Sequence, residues 1–350
     1  MKTIGVIGAG KIGKTIATYL SSEGFTVKIA DVEPRDIDGF VQLDASDKTA
    51  LTQFVKSVDI IVSATLYHLN KGIADVCADT GVAYFDLTED TEVSEHIRLM
   101  NTSTFMMPQS GLAPGAVNII ASDLIRKFDT VEKVKMRVGA LPKYPTNAMA
   151  YYLTWSTDGL INEYVNDCDV LSNHKHIKTQ PLDGLEQVYI DGDRYEAFNT
   201  SGGSASMCDT FADKVKSLSY KTIRYPGHQA SMKFLLDDLN LKHNKKKFVD
   251  LFDQEVPYTT ADVVVMLVSV IGKKDGQLLE KTWSKKIYGE DGHSAIQRTT
   301  ASGVCSVVTA YARGELTGEG FISQESVDYK VFTNNKFGQV YSWMQTSIIN

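Results

Sequence analysis

Thr3-Ile-Gly-Val-Ile7-Gly8-Ala9-Gly10-Lys11-Ile12-Gly13 begins two residues into the 350-residue chain, and its reading decides the fold. Ile4, Val6 and Ile7 among the first five residues are apolar and β-branched, as a strand buried on both faces requires. Glycine then recurs at the first, third and sixth of the next six positions. Gly8 permits a tight turn, Gly10 lets a pyrophosphate approach the backbone, and Gly13 lets the following helix pack closely on the strand. A helix expected over Lys11–Ser22, carrying Lys11 and Ile12 in its first turn, aims its free amides at that anion. Asp31 follows Gly13 by eighteen positions, at the end of a second apolar run. A carboxylate there accepts hydrogen bonds from an adenosine ribose diol and repels a 2′-phosphate. The pattern predicts a Rossmann dinucleotide-binding domain that takes NAD, with NADP less favoured; Arg35 is the one nearby residue of the type that accommodates the extra phosphate.

Outward from this loop the first 120 positions alternate short β-rich runs with helix-length segments. Strands are expected at Thr3–Ile7, Thr26–Ala30, Gly39–Leu43, Asp59–Ser63, Ala83–Leu87 and Thr104–Met107. Helices are expected at Lys11–Ser22, Lys48–Ser57, Asn70–Thr80 and Glu92–Asn101. This is the rhythm of a doubly wound parallel sheet, an α/β fold. In such a sheet ligands lie at the carboxyl ends of strands, which places Asp44 and Ala45, then Ala64 and Thr65, beside the nucleotide or in ordinary loops.

After Gly111-Leu-Ala-Pro-Gly115 the rhythm changes. A helix at Ala116–Lys127 leads into strands at Lys133–Gly139, Gln187–Ile190, Tyr220–Arg224 and Ala261–Ile271. The last is joined by Lys-Lys-Asp-Gly to a partner at Gln277–Tyr288, a hairpin signal. This reads as an α+β domain built on an antiparallel sheet. A helix at Ser294–Arg313 and a polar tail follow.

Composition is that of a globular protein, 43% hydrophobic and 23% charged, with net charge −7. That charge argues against a nucleic-acid partner. The longest apolar stretch, Val263–Ile271, is too short to span a bilayer, and no secretion signal precedes it, so a cytoplasmic protein without a membrane partner is expected. The four cysteines, Cys77, Cys168, Cys208 and Cys305, lack metal-ligand or disulfide spacing, so no metal site is expected.

Four stretches carry a family resemblance: Gly111-Leu-Ala-Pro-Gly115-Ala-Val-Asn118, Val138-Gly-Ala-Leu-Pro142, Glu196-Ala-Phe-Asn-Thr200-Ser-Gly-Gly203 and Tyr220-Lys-Thr-Ile-Arg224-Tyr-Pro-Gly-His228. In this order they resemble the saccharopine dehydrogenase family, most of all its lysine 6-dehydrogenase branch. The sequence departs from that branch at Ser110, where a cysteine is expected. The resemblance implies a discontinuous Rossmann domain, residues 1–118 and 290–350, around an inserted substrate and dimerisation domain at 119–289. It implies a homodimer acting on a small amino acid. It further implies NAD-linked oxidation of an amine-bearing carbon, for that branch L-lysine at its side-chain amine, giving a semialdehyde that cyclises.

Such chemistry needs a proton acceptor, and an amino-acid substrate needs a cationic clamp. Arg224 is the expected clamp, with a structural ion pair as the competing role. His228 is either a proton carrier or a helix cap. Asp86 and Glu89, at the end of the fifth strand, are candidates for the base or the ammonium partner, and equally for a helix cap. Tyr67, His68 and Lys71 are weaker candidates nearby. Asn147, Tyr151 and Trp155 would share one face of a helix, for packing or substrate contact. Thr200 offers a hydroxyl before two glycines. Two rival functions remain open: reductive carbon–nitrogen coupling of the saccharopine- or carboxyspermidine-forming kind, and a non-catalytic NAD-binding regulator.

Overall fold

A computed structural model describes residues 2–343 of the chain. Its first half runs β1 (Thr3–Ile7), α1 (Lys11–Ser22), β2 (Thr26–Asp31), β3 (Phe40–Gln42), α2 (Lys48–Val55), β4 (Ile60–Ser63), α3 (Tyr67–Thr80), β5 (Ala83–Asp86), α4 (Thr91–Arg98) and β6 (Phe105–Met107). The second part adds α5 (Ala116–Arg126), β7 (Thr130–Pro142), α6 (Thr157–Val165), β8 (Cys168–Ser172), β9 (Lys175–Thr179), β10 (Glu186–Ile190) and β11 (Asp193–Phe198). It continues with α7 (Met207–Thr210), β12 (Ser217–Arg224), α8 (His228–Lys233), α9 (Lys245–Glu255), β13 (Asp262–Lys274) and β14 (Gln277–Tyr288). The chain closes with α10 (Ala295–Ala312), β15 (Gly320–Phe321) and α11 (Tyr329–Thr333).

The first sheet has the order β15-β6-β5-β4-β1-β2-β3 and is parallel throughout. Its central strands are buried on both faces because helices cover each: Ile4, Val6, Ile60 and Val62 join one core, while Ile7 and Ile61 join another with Phe54 and Ile73. Polar caps start its crossover helices. Asp47 accepts from the amides of Thr49 and Ala50, and Asp90 from that of Val93. By contrast, α1 starts at Gly10 with no side-chain cap, leaving its first amides free.

The second sheet runs β10-β11-β12-β7-β13-β14, with β8 and β9 attached beside β12. It is antiparallel at every pairing except one: β12 lies parallel to β7, so the purely antiparallel expectation needs that correction. The β13–β14 hairpin forms where Asp275 and Gly276, at φ 51° and 79°, make the tight turn that Asp-Gly favours.

α10 joins the two sheets. It packs on α1 and β5 of the first and on β13 and β14 of the second. Ser294 and Gln297 form a reciprocal capping box at its start, and the Asp262 carboxylate at the head of β13 accepts from the amides of Ala295 and Ile296 at 2.6 and 3.0 Å. One apolar core therefore runs from β1 through α5 and α10 to β7 and β13.

Three expectations fail. Residues 147–155 are irregular rather than helical, the chain being held there by Asn147, whose side chain bonds the backbone of Tyr151 in both directions. The polar tail is not a tail: β15 adds to β6, and Phe332 and Tyr341 are buried. The segment between β7 and β12 also holds α6 and three strands, β8, β9 and β11, that its pattern does not announce. Among the described residues no helix is long and apolar enough to cross a membrane.

Candidate active site

A cleft of about 580 Å³ opens at the carboxyl ends of the parallel strands and extends to the ends of β7 and β12. At one end Gly8, Gly10 and Ile12 line it with Asp31, Asp44, Ala45, Ala64 and Thr65. Gly8 sits at φ 103°, and a Cβ there would come within 2.5 Å of the Ala64 carbonyl oxygen. Gly13 lies beneath the cleft, where a Cβ would overlap the Gly8 carbonyl. Gly10 faces open space, with no heavy atom within 4 Å of where its Cβ would stand.

Asp31 organises this end. Its carboxylate accepts from the Ala9 amide at 2.6 Å and the Glu33 amide at 3.1 Å, which fixes the oxygens at the cleft wall. An open backbone, an uncapped helix start and a fixed carboxylate together fit a dinucleotide. Lys11 turns away: its ammonium lies over the Tyr258 ring, 3.5 Å from the centroid, so it contributes through the second part of the chain rather than to the cleft wall.

The other end holds Leu87, Thr88, Glu89, Trp155, Ser156, Asp158, Glu163, Tyr220, Thr222 and Arg224. Arg224 is 3% exposed and has no carboxylate within ion-pair distance among the described residues. The competing role, a structural salt bridge, is thus not seen among the described residues. Its Nε donates to the Tyr164 hydroxyl at 2.9 Å, and Tyr151 and Tyr164 lie beneath the guanidinium at 5.2 and 5.8 Å from their ring centroids.

His228 stands behind that pair. Its Nδ1 is 3.1 Å from the Met149 carbonyl, which only accepts, so Nδ1 carries the proton. Nε2 is then the acceptor for the Tyr164 hydroxyl at 3.1 Å. The polarity of the chain is fixed: Arg224 donates to Tyr164, Tyr164 to His228, and His228 to Met149. Burial and the neighbouring Arg224 push the imidazole down to about 3. A neutral ring with both nitrogens engaged and outside the cleft cannot carry protons to a substrate; it positions Arg224. Tyr151 is likewise in this supporting layer and does not line the cleft. Thr200 is buried outside the cleft wall, its hydroxyl without a hydrogen-bond partner.

The carboxylates divide in the same way. Asp86 is fully buried and accepts from Tyr84 Oη at 2.8 Å, the Gln109 amide at 2.8 Å and the Thr88 amide at 3.0 Å. Burial still raises its carboxyl to about 6. It ties the end of β5 to the strand end after β6 and does not face the cleft. Glu89 does, and Glu163 joins it there from α6. Neither carboxylate accepts a hydrogen bond from another described residue. Burial raises both, Glu163 to about 8 with Glu89 contributing. Glu163 was missed because α6 was missed. Its one sequence signal is an acidic residue within the apolar face Leu160, Ile161 and Tyr164. Of the weaker candidates Tyr67 lines the cleft mouth, and Lys71 pairs with Glu92 at 3.3 Å on the surface.

Two sequence profiles match this arrangement: the saccharopine dehydrogenase NADP binding domain over residues 4–107 and the saccharopine dehydrogenase C-terminal domain over 111–336. The chain belongs to the saccharopine dehydrogenase family. A structure of apo saccharopine dehydrogenase (L-Glu forming) from Saccharomyces cerevisiae superposes with a TM-score of 0.76 at 15% identity, covering 95% of this chain and 96% of that one. That likeness concerns the fold. An alpha-aminoadipic semialdehyde synthase of Arabidopsis thaliana is 26% identical over 164 residues, 44% of this chain. A glyoxylate/hydroxypyruvate reductase A of Yersinia enterocolitica is 34% identical over 61 residues, 17% of this chain. The aligned stretches span only 15% and 19% of those two proteins. Within the family fold Ser110, where this sequence departs from the lysine 6-dehydrogenase pattern, is buried behind the Gly-Leu-Ala-Pro-Gly turn. Its hydroxyl donates to the Met107 carbonyl at 3.0 Å and accepts from Gln324 at 3.1 Å, so the departure lies outside the cleft wall.

Proposed function

We propose that this protein is an NAD-dependent amino-acid dehydrogenase that oxidises L-lysine at its side-chain amine. The observation that carries the reading is the charge set at the far end of the cleft. Among the described lining residues Arg224 is the single cation, and Glu89, Glu163 and Asp158 line the same end. One buried guanidinium without an ion partner suits one substrate carboxylate. Several carboxylates suit ammonium groups. A diamino acid with one carboxylate and two ammonium groups meets both demands. The condensed product of two amino acids, with three carboxylates, would leave two of them beside acidic side chains. This disfavours the saccharopine-forming alternative; a carboxyspermidine-type product, with one carboxylate and several ammonium groups, meets the same charge demand and is separated from the lysine reading by turnover of L-lysine itself. A non-catalytic regulator would not need an unpaired guanidinium and paired carboxylates in the cofactor cleft.

The cofactor reading rests on Asp31 and Asp44, which line the adenosine end without a lysine or arginine beside them. Arg35 is exposed and off the cleft wall. A 2′-phosphate would meet two carboxylates there, which favours NAD although the matching profile is named for NADP. Bound NAD would supply hydride acceptance; the chain's own residues orient the donor carbon, exclude water and take the amine proton.

The test is NADH formation by purified protein with L-lysine, ornithine, saccharopine and lysine blocked at the side-chain amine, with NADP in parallel. Turnover of L-lysine but not its blocked form supports the reading. Turnover of saccharopine alone, or of nothing in either direction, sinks it.

A further inference from the structure

We infer that Glu163 is the base that takes the proton from the substrate ammonium group, with Glu89 as the partner that shares its site. The inference rests on the amine-oxidation reading above and names the group that reading leaves unassigned.

Geometry limits the choice. A proton acceptor must touch the cleft near the reacting carbon and be free to take a proton. Among the described residues the cleft wall holds no histidine or lysine. Asp86 is saturated by three donors and His228 is enclosed behind Tyr164. Asp158 lines the cleft from the first turn of α6 but is paired there with Lys245 at 3.6 Å. That leaves Glu89 and Glu163, supplied by the loop after β5 and by helix α6.

The two are not equivalent. Glu89 is packed against backbone: a Cβ on Gly159 would stand 3.3 Å from its Oε1, and one on Gly202 would stand 2.9 Å from its own Cβ. Asp86, Asp90, Asp158 and Tyr67 act on Glu89 or feel it, with no cation among them, whereas the surroundings of Glu163 include Arg224. Glu89, Arg224, Tyr151, Tyr164, Tyr220 and Cys168 all act on Glu163 or feel it. Of these Arg224 alone is cationic, and a substrate carboxylate would neutralise it. Glu163 then lies between a like charge and a clamped substrate, where an incoming ammonium group is the natural proton source. Burial and Glu89 hold its carboxyl near 8, in the range where a carboxylate is basic enough to deprotonate an amine usefully.

The step balances. The Glu163 carboxylate takes one proton from the substrate –NH3⁺ and becomes the neutral acid. The amine lone pair then forms the C=N bond as the C–H bond breaks and its electron pair leaves as hydride to the oxidised nicotinamide. The products are an iminium, the reduced cofactor and protonated Glu163. The two carboxylates titrate as a pair, so an observed limb belongs to both, and the substitutions decide which one carries the base.

The experiment measures kcat and KM for the L-lysine panel against pH in wild type, Glu163→Gln, Glu163→Asp and Glu89→Gln. In parallel, carbon-13 NMR follows the carboxyl titration of glutamate-labelled protein without cofactor. Glu163→Gln is expected to lower kcat on the order of 10²–10³-fold with little change in KM, and to abolish the acid limb. It should also remove a carboxyl signal titrating near 8. Glu163→Asp should keep that limb at reduced kcat, and it serves the test should the Gln variant fail to fold. A wild type that turns over lysine while Glu163→Gln keeps kcat and the limb overturns the inference alone. Loss of the limb only in Glu89→Gln overturns it in favour of Glu89. A wild type silent toward every amine removes the underlying reading, and this inference with it.

Discussion

At the scale of single residues, the cleft separates groups that act on a substrate from groups that hold those groups still. Arg224 is the clearest case, since its guanidinium is fixed by Tyr164 and through it by a neutral His228. Arg224→Lys keeps the charge but loses the fork and the bond to Tyr164. The expected result is a rise in KM for the amino acid of roughly 30-fold, with a smaller change in kcat and unchanged affinity for NAD. A variant with normal KM would remove Arg224 from substrate binding. Glu163 makes a second prediction, on stability. Its carboxyl titrates near 8 in the folded chain against 4.5 for a free glutamate, so between those values the native state holds a proton that the unfolded state has lost. Stability therefore falls as pH rises through that window. Glu163→Gln should remove this loss, leaving the melting temperature nearly unchanged at about pH 4 and raised at about pH 9. A variant destabilised equally at both would contradict it.

At the scale of elements, the glycine loop stakes its function on one helix–strand approach. Gly13→Ala would place a methyl on the Gly8 carbonyl, forcing α1 away from β1. Calorimetric NAD binding should be lost while the fold survives at lower stability; retained binding would mean that the loop tolerates the shift. The parallel half was readable because its strands are continuous apolar runs punctuated by glycine and capped helices. The second half was less so. In α6 the residues Leu160, Ile161, Asn162, Glu163 and Tyr164 are all buried, so polar and apolar positions do not alternate with helical period. β9 is largely exposed and β8 half so, offering little pattern. Tyr151 and His228 were singled out for chemistry, but burial alone puts them one layer behind Arg224. For Asp86, position at a strand end is visible in sequence, whereas saturation by three donors is not. Asp44, Ala45, Ala64 and Thr65 were legible because the strand ends of a doubly wound sheet locate them.

At the scale of the whole molecule, the two sheets share one apolar core through α10, whose first turn is capped from the second sheet by Asp262. The cleft uses the same junction, since Ile296 and Thr300 of α10 line it. Ligand binding at the glycine loop should therefore stabilise both sheets together. The second sheet gains its own reporter in Trp283, buried on β14 and distant in sequence from the loop, once Trp155 of the cleft wall and Trp343 are replaced by phenylalanine. Thermal unfolding followed by tryptophan fluorescence and by far-ultraviolet circular dichroism should give one coincident transition. Saturating NAD at about 100 times its dissociation constant should raise both midpoints alike, by the equivalent of about 2.7 kcal/mol. In Asp262→Ala, which deletes the cap without touching the glycine loop, both midpoints should fall by about 1–2 kcal/mol. Their coincidence should weaken, because the first turn of α10 would no longer be tied to β13. Two well-separated transitions in the protein that keeps Asp262, only one of them moved by NAD, would show instead that the sheets unfold as independent units and that α10 couples nothing.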